Sequence, residues 1–169
     1  MKKLLIVFVL AAILATGTVF ADHPDGLGIG VLWRGNIGFD GHFGSGVALS
    51  LHVPNVPIFW GIDLHLGGSS FGIGLTGDKY IYDTSLVPDI NLHWYLGLGG
   101  FLSFFAGNDA SIQFGARLPI GLSWHILEIL ELFLEVAPSL GVGIYTHGDG
   151  GINFPVGGFP VGIGLRLWF

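Results

Sequence analysis

Hydrophobic and polar positions alternate through most of this chain. At the carboxy terminus, Val161, Ile163, Leu165, Leu167 and Phe169 alternate with Gly162, Gly164, Arg166 and Trp168. A period of two puts successive side chains on opposite faces of a β-strand. One face of this segment is therefore large and apolar, the other small or polar. The same pattern predicts strands at about 27–34, 46–53, 58–66, 71–82, 90–104, 111–124 and 131–143, with the last at 157–169. Gly- and Pro-rich stretches separate them: links at Gly35–Gly44, Gly67–Ser70, Gly107–Asp109 and Tyr145–Asn153, and turns at Pro54–Pro57 and Asp83–Asp89. Gly99-Gly100 is expected to mark a bulge, and Pro119 a bulge or weakened pairing. Segment 125–130 reads equally as one helical turn or a strand extension.

Eight alternating strands, each apolar on one face, predict an all-β fold: an eight-stranded antiparallel up-and-down transmembrane β-barrel with its apolar face toward lipid. A soluble β-sandwich is the competing arrangement. It would have to cover apolar faces up to seven residues long with few charges anywhere. With both termini on the periplasmic side, the links at 35–44, 67–70, 106–110 and 144–156 face the exterior.

Composition strengthens the membrane reading. The chain is 51% hydrophobic and 11% charged, with 30 glycines, against about 25% charged residues in soluble proteins. Beyond the first 21 residues, no apolar run approaches the ~20 residues that a spanning helix needs. Residues 1–21 differ: Lys2 and Lys3 precede an apolar run from Leu4 to Leu14, and Thr18–Ala21 ends in a small residue. That is the pattern of a cleaved secretory signal peptide, with a retained anchor as the alternative. The expected mature chain is one barrel domain, residues 22–169.

The chain has no cysteine, which excludes a lipid-modified amino terminus, disulfides and thiolate metal sites. Without Lys2 and Lys3, four basic residues (Arg34, Lys79, Arg117, Arg166) remain against twelve acidic ones. No basic patch for nucleic acid exists. The acidic balance suits a chain kept soluble by periplasmic chaperones. Lys79 falls on the apolar face near a strand end, where its ammonium is expected to snorkel to the headgroups.

The polar face turns inward. Arg34, Arg117, Glu131, Glu135 and Arg166 are expected to form a charge cluster, because a lone buried charge is very costly; Arg166 and Glu135 are the expected partners. A proton or ion relay is the functional alternative. Asp63, His65, Asp78 and His93 are expected to form a polar network. With His52, the Asp63/His65 spacing would also suit a divalent metal, but spacing fixes no third strong ligand, so no metal or cofactor is expected. His147–Gly151 resembles a calcium-loop fragment with too few carboxylates. Trp33, Trp60, Trp94 and Trp124 lie on the apolar face near strand ends, as interfacial tryptophans do. Ser123 and His125 form a close Ser/His pair at a strand end, an opening for a rim enzyme acting on lipid. No Gly-x-Ser-x-Gly elbow appears, and an enzyme is not expected.

Three segments carry a resemblance: Gly115–Trp124 (GARLPIGLSW), Leu132–Pro138 (LFLEVAP) and Gly162–Phe169 (GIGLRLWF). Together with Ala48–Pro57 they resemble a family of small, largely uncharacterised outer-membrane β-barrel proteins of diderm bacteria. The chain is also similar in architecture to the eight-stranded OmpA-type and OmpX barrels. The resemblance implies an outer-membrane location, contact with outer-membrane lipid, and insertion by the barrel-assembly machinery. It implies an assembly signal at Val161, Ile163, Leu165, Leu167 and Phe169, and no enzyme activity. It carries over no ligand. Two roles follow as expectations: a structural or surface-interaction protein with a filled polar lumen, or a narrow channel or hydrophobic-solute transporter.

Overall fold

A computed structural model describes residues 23–39, 41, 43–67, 70–106, 110–146 and 151–169. The expected leader, most of the His147–Gly151 loop and the His65 side chain lie outside the described residues. The described chain is almost wholly strand: β1 (Gly28–Gly38), β2 (Phe43–His52), β3 (Phe59–Gly67), β4 (Ser70–Val87), β5 (Leu92–Ala106), β6 (Ser111–Arg117), β7 (Ile120–Leu127), β8 (Leu130–Val136), β9 (Ser139–Tyr145) and β10 (Gly151–Trp168). A single 3-10 turn, Pro88–Ile90, joins β4 to β5. All pairings are antiparallel, and β1 pairs with β10 as well as with β2. The sheet therefore closes on itself, which removes the exposed edges that invite aggregation.

The strand count differs from the eight expected. Two expected strands are each divided at a proline, β6 from β7 at Leu118-Pro119 and β8 from β9 at Ala137-Pro138. Proline has no N–H for the ladder. Single backbone hydrogen bonds carry the pairing across: Gly97 N to Pro119 O (2.7 Å), Leu118 N to Pro138 O (3.0 Å) and Ala137 N to Pro160 O (2.8 Å). β5 runs beside both β6 and β7, and β10 beside both β8 and β9.

Other boundaries moved outward. β1 and β2 extend into the expected Gly35–Gly44 link, and β10 starts at Gly151 rather than 157. Segment 125–130 resolves as a hairpin: β7 reaches Leu127, Glu128 and Ile129 form the turn, and β8 starts at Leu130. The expected bulge at Gly99-Gly100 is absent, since both residues keep regular register with β4 and β6. The largest correction is Asp83–Asp89, read as a turn. β4 continues to Val87, with register breaks between Tyr80 and Tyr82 and between Ser85 and Val87. One extra residue flips every later side chain to the other face. Tyr82 therefore faces out and Asp83 in, the reverse of simple alternation.

Exposure follows the alternation. In β1, Val31 and Trp33 are about half exposed, while Leu32 between them is 4% exposed. The outer surface carries most of the large aliphatic residues, and the inside holds the buried charges together with a few aromatic rings. Inward glycines make room for large neighbours. A Cβ on Gly164 would come within 2.6 Å of both Leu32 Cβ and Phe133 Cζ.

Candidate functional site

Among the described residues, the interior gathers most of the charged side chains. Its charges gather around three arginines, Arg34, Arg117 and Arg166. Arg34 Nη1 donates to both Asp63 oxygens at 2.6 and 2.5 Å. Arg117 donates to Glu135 through Nη2 and lies with Nε 3.2 Å from Asp78 Oδ1. Arg166 Nη1 donates to Glu131 Oε2 at 2.6 Å, and its Nε and Nη2 donate to Ser50 Oγ. The expected Arg166–Glu135 pair does not form. Register decides this: Arg166 lies directly opposite Glu131, and Glu135 opposite Gly162. Glu135 instead accepts from Arg117 and from the Tyr95 hydroxyl at 3.2 Å.

An aromatic stack fills the space between these pairs. Phe59 and Tyr80 stack at 4.1 Å between ring centroids, and Tyr80 and Tyr95 at 4.2 Å. The Arg166 guanidinium lies 4.8 Å from the Phe59 ring centre and 4.7 Å from that of Phe133, within cation–π range.

Sequence reasoning missed the residue at the centre of the end that carries Leu27 and Phe169. His23 precedes β1 and turns back into the interior. Its ring meets Phe59, Tyr80, Tyr95, His125 and Trp168 at centroid distances of 5.2–6.3 Å. Its Nδ1 faces Asp83, and its Nε2 lies 3.3 Å from Glu131 Oε1. Burial lowers the His23 pKa below its ordinary 6.5, against the upward pull of Glu131. Asp83 has no arginine partner among the described residues; it faces His23, and His93 at 3.8 Å. The segment after His23 is held as well. The His52 Nδ1–H donates to Gly26 O (2.8 Å), Asn55 N–H to Asp25 Oδ1 (3.1 Å), and Leu27 exchanges backbone bonds with Phe169. No periodicity signals His23, because it lies outside every strand. Asp83 was hidden by the break in alternation after Tyr80.

The remaining expected groups fall as follows. Among the described residues, no three His, Asp or Glu side chains converge as metal ligands: Asp63 is taken by Arg34 and His52 by Gly26. Ser123 is fully buried and its hydroxyl has no hydrogen-bond partner, so it does not lie at a lipid-facing rim. Trp33 and Trp124 are exposed, Trp60 and Trp94 half-buried. Trp124 Nε1 donates to Ile90 O at 2.9 Å, and the Trp94 ring lies 4.9 Å from Tyr82 outside the sheet. Trp168, of opposite parity, is buried and donates to Glu131 Oε2 at 2.8 Å.

Residues 33–166 match the model of a family described as Protein of unknown function (DUF3996). The chain belongs to that family. No curated protein matches it. Among solved structures, it is similar to the crystal structure of Neisserial surface protein A (NspA), with a TM-score of 0.52 and 14% sequence identity over 85% of this chain and 97% of that one. At that identity the likeness concerns the fold, which is a β-barrel. Within it, the space left among the interior residues is uneven. A recess of about 150 Å³ lies beside Arg34, Asp63, Gln113 and Arg117, and one of about 20 Å³ remains among Arg34, Phe59, Glu135 and Arg166.

Proposed function

We propose that this chain is an integral outer-membrane β-barrel protein with a structural or surface-interaction role, exported behind a leader cleaved after residue 21. In this reading β6 with β7, and β8 with β9, act as single staves, so the ten strands make an eight-staved barrel. A barrel of that size has an interior just wide enough for side chains to fill. One observation carries the proposal: a continuous outer face of exposed apolar residues encloses an interior whose arginines are all paired. A water-exposed sheet would distribute them the other way. The terminal strand, from Val161 to Phe169, serves as the signal to the barrel-assembly machinery, and Trp94, Trp124 and Tyr82 form part of an interfacial girdle.

A conducting or transporting role is the second reading, favoured by the recess beside Arg34. The narrowing to about 20 Å³ around Arg166 and the seat of His23 oppose it. Two measurements test the pair. Unheated protein should migrate faster than heated protein on gels, as a closed barrel does; identical migration counts against the barrel. Planar-bilayer recordings should be silent for the wild type. Reproducible conductance that changes in R117Q or E135Q would replace the filled barrel by a channel.

A further inference from the structure

Lys79 is the only outward-facing basic residue among the described residues. Arg34, Arg117 and Arg166 all point inward into ion pairs. Lys79 is exposed, and its ammonium forms no ion pair or hydrogen bond among the described residues. The exposed carboxylates of the described chain, Asp25, Asp89 and Glu128, all lie before β1 or in turns, and none reaches it. The extension of β4 to Val87 also changes its setting. Lys79 is not near the strand end but tenth of eighteen residues in β4. An unpaired charge on the lipid face of a barrel strand is destabilising, increasingly so toward the bilayer midplane. No carboxylate among the described residues supplies its counter-charge.

The surface beside it is recessed. A groove of about 620 Å³ runs past Lys79 between Trp60, Leu98 and Leu102, over Gly77 and Gly100. The register makes the groove continuous: Trp60 lies opposite Gly77, and Gly77 opposite Gly100. The Trp60 ring leans over Gly77, so a Cβ there would meet it at 3.1 Å. Lys79 itself lies level with the start of β3, because its neighbour Asp78 pairs with Phe59. An ammonium reaching past that strand end meets headgroups while its aliphatic stem stays in the groove. Tryptophan at the same level is the usual marker of the interface.

We propose that this groove is a binding site for an anionic phospholipid, whose phosphate pairs with Lys79 and whose acyl chain lies over Gly77 and Gly100. The site rests on the membrane reading and goes beyond it by naming a ligand class. Charge selects the lipid, and the missing side chains at two opposed positions give the chain its bed.

The test uses the purified full-length protein, folded into vesicles of dioleoyl phosphatidylcholine with or without dioleoyl phosphatidylglycerol, then released for native mass spectrometry of its lipid adducts. Wild type is expected to retain the glycerol lipid over the choline lipid by about fivefold, the scale of one lysine near an anionic headgroup. K79R should keep that preference and K79Q should lose it. G100L keeps Lys79 but fills the groove, and should lose adducts of both lipids. A Cβ at Gly100 meets only the Gly115 carbonyl oxygen, at 3.3 Å, a tight contact that the strand must relieve by a small shift, so faster migration of unheated G100L on gels verifies that the variant folds. Equal retention of both lipids by wild type, or an unchanged preference in K79Q, overturns the proposal. Displacement of the adduct by inorganic phosphate would assign the site to a free anion and overturns it too. Failure to enter vesicles would overturn the membrane reading as well, whereas insertion without preference overturns the lipid site alone.

Discussion

Arg166 and Glu131 face each other across the β8–β10 ladder and join at 2.6 Å, with both side chains almost wholly buried. Glu131 Oε2 also accepts from the Trp168 indole, and the Arg166 guanidinium lies between the Phe59 and Phe133 rings. Removing one charge of such a pair leaves the other buried and uncompensated. R166M or E131M should each lower stability by about 3–5 kcal/mol. The double variant R166M/E131M should recover much of that loss, because two apolar side chains of similar length leave no orphan charge. Urea titration of protein folded in vesicles measures all three. If the double variant is as unstable as the two single losses added together, the ion pair is not the source of the effect.

Gly164 is where an inward strand position must stay bare. Its missing side chain is space that Leu32 and Phe133 already occupy, both at 2.6 Å from an ideal Cβ. G164A should therefore destabilise the protein by about 1–3 kcal/mol, the usual scale of overpacking. G44A is the control, since a Cβ there meets nothing within 4 Å. Equal urea midpoints for the two variants would contradict this packing.

These positions separate what alternation can and cannot reveal. The outer face was legible, because exposed apolar residues obey a period of two along regular stretches such as Val161–Phe169. So was the inward face of Arg34, Arg117, Glu131, Glu135 and Arg166. Their pairing was not, because it depends on the register between strands, which no single strand encodes. The shift between Tyr80 and Tyr82 hid Asp83, and the prolines at 119 and 138 divided what the pattern reads as unbroken strands. No alternation marks His23, which reaches its seat through a backbone that belongs to no strand.

That seat should respond to acid. The His23 pKa is lowered in the folded chain by burial, so the unseated segment binds a proton more readily than the seated one. Its contribution is complete above about 6.5, the ordinary value, and is lost as pH falls below it toward the lowered value. Asp83, Glu131, His93, His125, His52, Arg166, Tyr80 and Tyr95 surround the ring or lie near it, so the titration belongs to the group. An NMR titration of the carbon-bound ring protons, assigned by its disappearance in H23Q, should give a midpoint below 6.5. Trypsin-like probes are blind here, but hydrogen exchange at Leu27, bonded to Phe169 at 3.1 Å, should lose protection in H23Q at neutral pH. A midpoint at or above 6.5 would mean that the flanking carboxylates outweigh burial.

Phe169 joins two separate requirements at one residue. Its backbone exchanges hydrogen bonds with Leu27 (2.9 and 3.1 Å), which close the sheet between its first and last segments. Its side chain is 75% exposed, so it adds nothing to the interior and is free to meet lipid or a receptor for the terminal strand. Deleting it should thus leave the packed interior around Arg166 intact while weakening closure and assembly together. Export across the inner membrane, read by removal of the leader, should continue, and the exported chain should accumulate outside the outer membrane fraction in unfolded, protease-sensitive form. F169A separates the two roles, because it keeps both backbone bonds. If F169A assembles as wild type does and only the deletion fails, closure with Leu27 is the requirement, and the aromatic ring carries no signal.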